Sequence, residues 1–145
     1  MTITRANVVT AAQRWIGTPF HHQASLLQVG CDCLGLVRGV WREVIGPEPE
    51  TAPPYGLDWA ATKRADLLRD ALMRHFRPIN RMDYRAGDVL LFSFRSHGPA
   101  THLGVAASTT HIIHAHSGAC VIETALGEPW RKRLAAAFVF PGVND

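Results

Sequence analysis

The sequence predicts an α+β domain, and three observations carry that expectation. Apolar residues recur at helical spacing through the first half of the chain. After residue 76 the period changes to extended runs, and tight turns join those runs. Helices first and strands afterwards imply helices packed on an antiparallel sheet, here of about five strands. At 145 residues the chain is expected to close one core as a single domain over residues 1–145.

Each element has its own signal. Thr4 can cap a helix that runs to about Trp15 and places Val8, Ala11, Ala12 and Trp15 on one face; Gly17-Thr18-Pro19 ends it. Phe20 to Val29 reads as a loop, with His21 and His22 exposed or lining a cleft. A second helix is expected from Cys33 to Ile45, with Leu34, Val37, Trp41 and Val44 on its buried face and a stop at Gly46-Pro47. Four prolines then mark a stiff surface excursion up to Gly56. A third helix from Asp58 to about Phe76 should bury Leu67, Leu68, Ala71, Leu72 and Phe76. Strands follow at Asp88–Phe94, announced by the turn Arg85-Ala86-Gly87, then at Leu103–Ser108, His111–His116 and Ala119–Thr124. Glu128–Arg133 reads as a helical turn and Ala136–Phe140 as the closing strand.

Composition narrows the function. The net charge is +3 with scattered basic residues, and the one basic run, Arg131-Lys132-Arg133, is too short to argue for nucleic acid. No segment approaches the roughly 18 apolar residues of a membrane span. The N-terminal residues lack an apolar core, so the expectation is synthesis in the cytoplasm without a secretory signal. Three cysteines cannot all pair, which leaves at least one free thiol. Five of the eight histidines (His97, His102, His111, His114 and His116) fall within twenty residues.

That cluster matters because of Gly30-Cys31-Asp32-Cys33-Leu34-Gly35-Leu36, a polar and glycine segment opening into the second helix. Asp32 stands where an N-cap belongs, so Cys33 falls in the first turn, where free N–H groups and the helix dipole favour a thiolate. A thiol nucleophile needs a base, and the base needs a group that fixes its tautomer. His102 opens one strand and His114 lies on the next, so directly opposed side chains could bring the rings within about 5 Å. On these residues alone a buried, inert Cys33 is the better reading.

The motifs together resemble the NlpC-type papain-like cysteine peptidases. Asp32-Cys33-Leu34-Gly35-Leu36-Val37 is similar to that family's Asp-Cys-Ser-Gly-Leu-Val nucleophile motif, and Gly17-Thr18-Pro19-Phe20 to the Gly-x-Pro-Tyr segment before it. Arg85-Ala86-Gly87-Asp88-Val89-Leu90 looks like the Pro-Gly-Asp-Leu strand entry, His102-Leu103-Gly104-Val105 like the His-Val-Gly-Ile base motif, and His114-Ala115 like the His-Ala carrying the third catalytic residue. The resemblance implies a papain-like fold with the nucleophile at a helix N-terminus. It also implies hydrolysis of peptidoglycan stem peptides, at the bond between γ-D-glutamate and a diamino acid. Cys33 would attack, His102 would act as base and then acid, His114 would orient His102, and no cofactor or metal is required. The Gly17–Gln23 wording and the Trp41-Arg42-Glu43 helix end most resemble members encoded among phage-tail and gene-transfer-agent genes. That subgroup implies tail or baseplate partners, a tail-associated location, and action in the periplasm or cell wall.

Two departures stand out. Phe20 occupies the position of a tyrosine whose hydroxyl serves the oxyanion in the family, so His21 or His22 is expected to substitute, or activity to be lower. Leu34 replaces the serine after the nucleophile, where only backbone geometry is needed. Asp32 and the loop residue His97 are further candidates for substrate contact. Two other functions remain open: a non-catalytic tail or baseplate component that kept the fold, and a zinc protein using His102, His114, His116 and a cysteine.

Overall fold

The computed structural model describes residues 2–51, 67–94 and 101–145. Helix α1 (Arg5–Gln13) begins at a reciprocal cap. The Thr4 hydroxyl accepts from the Asn7 N–H and the Asn7 side chain accepts from the Thr4 N–H, both at 3.0 Å. Two short strands, β1 (Ser25–Leu26), within the stretch expected to be loop, and β2 (Gly30–Cys31), just beyond it, pair antiparallel. Helix α2 (Cys33–Val44) follows at once and buries Leu36, Val37, Val40 and Trp41. At roughly 1.5–3 kcal/mol for each large apolar side chain, that face gives α2 its hold on the core. Gly39 permits a close crossing, since a Cβ there would lie 1.9 Å from the Trp15 ring.

Helix α3 (Leu67–His75) belongs to the third helix expected from the sequence; the expected start at Asp58 lies outside the described residues. Leu68 and Leu72 are buried, but Leu67 is 45% exposed, against expectation, because it sits on the far side of the helix. Strand β3 (Arg77–Ile79) comes next, and a 3-10 turn (Arg81–Asp83) leads towards β4 (Val89–Phe92). The remaining elements are β5 (His102–Ala106), β6 (His111–Ala115), β7 (Val121–Ala125), the one-turn helix α4 (Glu128–Arg131) and β8 (Leu134–Val139).

The architecture is α+β, with the N-terminal helices packed on an antiparallel sheet. Among the described residues the sheet has six strands in the order β3-β8-β4-β5-β6-β7, rather than about five. The extra strand, β3, is three residues long and contains Pro78, so it has no sequence signature of its own; pairing with β8 makes it a strand.

Alternation along the strands divides the core. Val89, Leu91, Leu103, Val105 and Ile113 face α1 and α2, whereas Leu90, Phe92, Ala106 and Ile112 form a second cluster against Trp130 and Leu134. Asp88 locks β4 to α1. Fully buried, it takes the Arg5 guanidinium at 2.6 Å and the Arg85 N–H at 2.8 Å. Burial still holds its pKa above the ordinary carboxylate value.

Candidate active site

Cys33 is the first residue of α2, and the Asp32 carboxylate fixes that start. One oxygen accepts from the Gly35 N–H and the other from the Gln23 N–H, each at 2.8 Å. Gly35 is required where it stands, because a Cβ would lie 1.9 Å from the Ala24 carbonyl oxygen. The loop bearing His21 and His22 is thereby pressed against the nucleophile turn. Ser25 closes the contact by donating to the Gly35 carbonyl at 2.6 Å.

The half-buried Cys33 sulfur rests against the chain that brackets His102. Its thiol faces the Thr101 carbonyl at 3.7 Å, and the Leu103 N–H is turned towards it from the other side of His102. The N–H groups of Cys33 and Leu34 face the same sulfur. On the other face of β5 and β6, His102 Nε2 lies 3.0 Å from His114 Nδ1, with the rings nearly perpendicular at 84°. The register, Val105 opposite Ile113 and Ala106 opposite Ile112, makes the two histidines diagonal rather than directly opposed partners. His114 is buried and His102 half-buried.

The electrostatics run against the helix-dipole expectation. Burial, reinforced by the neighbouring Asp32 charge, pushes the Cys33 thiol up to about 12, and the three N–H groups only partly oppose the rise. Burial lowers His102 to about 3, with the His114 and His116 charges adding to the effect. His114 is lowered to about 4, by burial first and His116 second. The resting pair is therefore a neutral thiol and a neutral imidazole. Cys31 is wholly buried in the core beneath the site, and burial also raises its thiol to about 12.

The remaining candidates are placed as follows. Phe20 packs its ring against the main core and pairs its backbone with Cys31, so no side-chain donor stands there. His22 is half-buried with Nδ1 3.9 Å from Asp32, whereas His21 is exposed and turned to the His22 carbonyl. His97 lies outside the described residues. His116, at the exposed end of the strand, holds its ring 6.0 Å from His114. Among the described residues no group of three or more His, Cys, Asp or Glu side chains is arranged to hold a metal ion. Likewise, no described helix is long and apolar enough to cross a membrane.

An aromatic wall around the histidines had no clear signal in the sequence. Trp130 on α4 stands 4.8 Å from His114, 5.9 Å from His102 and 5.0 Å from Phe92, ring centre to ring centre. The half-exposed Phe94 closes the group at 5.6 Å from His102. The strand alternation that aligns Phe92 and His102 could have pointed to it, but the contribution from α4 could not be read locally.

A cysteine at a helix N-terminus, packed against the main chain of a strand that carries a histidine pair on an antiparallel sheet, defines a papain-like arrangement. The chain belongs to the NlpC/P60 family, whose pattern it matches over residues 17–139. Solved structures share the fold. An NlpC/P60 family protein from Bacillus cereus superposes with a TM-score of 0.70 at 16% identity, over 97% of this chain and 41% of that one. The NlpC/p60 domain of the peptidoglycan hydrolase SagA gives 0.65 at 22%, over 95% and 100%. NlpC2 from Trichomonas vaginalis gives 0.66 at 18%, over 94% and 46%. The chain thus spans about two-fifths of the Bacillus cereus protein (41%) and of a Staphylococcus aureus relative (42%). No curated protein matches it.

Proposed function

We propose that this chain is a cysteine peptidase that hydrolyses peptidoglycan stem peptides at the γ-D-glutamyl–diamino acid bond. The observation that carries the reading is the Cys33 sulfur lodged against the main chain on both sides of His102, whose far nitrogen is held by His114 at 3.0 Å. That contact leaves His102 Nδ1 as the nitrogen available to the thiol. The peptidoglycan hydrolase SagA, whose domain shares the fold, supports the choice of substrate.

Because thiol and imidazole are both neutral at rest, attack and proton transfer occur together. Cys33 Sγ bonds to the scissile carbonyl carbon as its proton passes to His102. The C–N bond then breaks and His102 returns the proton to the leaving amine. Water attacks the resulting thioester, His102 takes a proton from it, and the carboxylic acid leaves as the thiol is restored. The Cys33 N–H meets the oxyanion, and the adjacent Leu34 N–H compensates for the phenol absent at Phe20.

The site is further proposed to act within a phage-like tail during cell-wall penetration, on the strength of the Gly17–Gln23 and Trp41–Glu43 wording. Mass spectrometry of muropeptides incubated with purified protein tests the peptidase reading. Products split after γ-D-glutamate are expected, and their absence with wild-type protein would end it. Co-sedimentation with tail particles tests the location; protein found only free of particles contradicts it. A second reading, a tail component that keeps the fold without catalysis, draws on Phe20 and on the raised Cys33 thiol. Intact muropeptides alongside particle-bound protein would favour it.

A further inference from the structure

His114 poses a question that the dyad does not answer. Its Nδ1 is engaged by His102, but its Nε2 is buried beyond the reach of solvent and has no hydrogen-bond partner among the described residues. An orphaned buried nitrogen is costly, so the surroundings of this ring should supply something. The ring centre nearest to it is that of Trp130, at 4.8 Å and an interplanar angle of 71°, an edge-to-face arrangement. His116 is farther away at 6.0 Å, and no hydrogen bond links it to Nε2.

We propose that Trp130 is a positioning residue: its indole face receives the Nε2–H of His114 and so fixes the tautomers of the whole histidine pair. This rests on the peptidase reading above only for its catalytic consequence. With the proton on Nε2, His114 Nδ1 carries a lone pair and must accept from His102 Nε2–H. His102 Nδ1 is then unprotonated and able to take the Cys33 proton. In the opposite tautomer His114 Nδ1–H donates to His102, the His102 proton moves to Nδ1, and the base is blocked. An N–H···π contact is individually weak, but here it selects between a competent and a blocked chain. Phe92 and Phe94 brace the indole edge-to-face at 5.0 and 5.4 Å, which holds Trp130 in place for that role.

The test is the imidazole nitrogen spectrum of histidine-labelled, substrate-free protein, recorded for wild type, Trp130→Leu and Trp130→Phe. In wild type the His114 proton is expected on Nε2, shifted upfield by the indole ring current, and the same in Cys33→Ala. Trp130→Leu should lose the shift and mix the tautomers, and Trp130→Phe, which keeps an aromatic face, should restore them. Stem-peptide kcat should fall about three- to fivefold in Trp130→Leu with KM unchanged, as expected for losing one such contact. A proton on His114 Nδ1 in wild type overturns the proposal even if the leucine variant fails to fold. An Nε2–H signal with no ring-current shift overturns it equally. Expected spectra without any hydrolysis would support the contact and contradict the peptidase reading instead.

Discussion

Cys33 and Cys31 are two residues apart and burial raises both thiols, but they differ in what surrounds them. Cys31 is sealed in the core, whereas Cys33 opens α2 with its sulfur against the main chain of Thr101 and Leu103, on either side of His102. The dipole argument from sequence, which predicts an easily ionised thiol, is local; burial and the Asp32 charge reverse it in the folded protein. With the thiol raised to about 12, the thiolate fraction keeps growing well above the ordinary thiol range. Alkylation of Cys33 by a neutral reagent should therefore continue to accelerate above pH 9. A rate already level below about pH 8.5, the ordinary thiol value, would show a preformed thiolate and refute the neutral resting state. Arg5 allows a second test. Arg5→Met strands the buried Asp88 carboxylate, and chemical denaturation should register a loss of about 3 kcal/mol or more; an unchanged midpoint would exclude the pair as a lock between α1 and β4.

Helix α2 and its entry turn were readable in advance because their signals are local: the Asp32 cap, an apolar spacing in which Val37 and Trp41 are buried as expected while Leu34 and Val44 lie at the half-buried margin, and the stop at Gly46. The histidine pair was readable only in part. Alternation put His102 and His114 on one face, but the register that makes them diagonal neighbours depends on how β5 and β6 pair. Strands β1, β2 and β3, of two or three residues each, exist through their partners and carry no period to detect. Trp130 reads from sequence as a core or cleft-wall residue, but its contact with the histidines depends on how α4 folds back over β6 and has no local signal. Gly35 tests the element scale directly. Gly35→Ala places a methyl group against the Ala24 carbonyl and must shift either the loop or the start of α2. A displacement of about 1 Å at the nucleophile costs on the order of a hundredfold in rate, so stem-peptide kcat/KM should fall that far while far-UV circular dichroism stays native. Full activity in this variant would mean that the turn is not held as described.

At the scale of the whole molecule, the two-sided sheet joins stability to the site. One face packs on the helices; the other carries the aromatic cluster and the histidines, whose burial keeps both rings neutral. In the unfolded chain a histidine takes up its proton near the usual value of about 6.5. In the folded protein uptake waits until about 4 for His114 and about 3 for His102. Between those limits the unfolded state binds more protons, so stability falls as pH is lowered. Thermal denaturation should show Tm dropping below pH 6.5, with His114→Asn flattening the slope. A Tm independent of pH from 6.5 to 4.5 would contradict the burial of the pair.

The central claim is that one thiol, Cys33, carries the chemistry through His102. Stem peptide mixed with the protein, quenched in acid and analysed by intact-protein and peptide mass spectrometry, tests it most directly. The expected result is an acyl adduct ending in γ-glutamate and mapped to Cys33, present in wild type and in Cys31→Ala but absent in Cys33→Ala, which releases no product. An adduct on another residue, or continued hydrolysis by Cys33→Ala, would contradict the account.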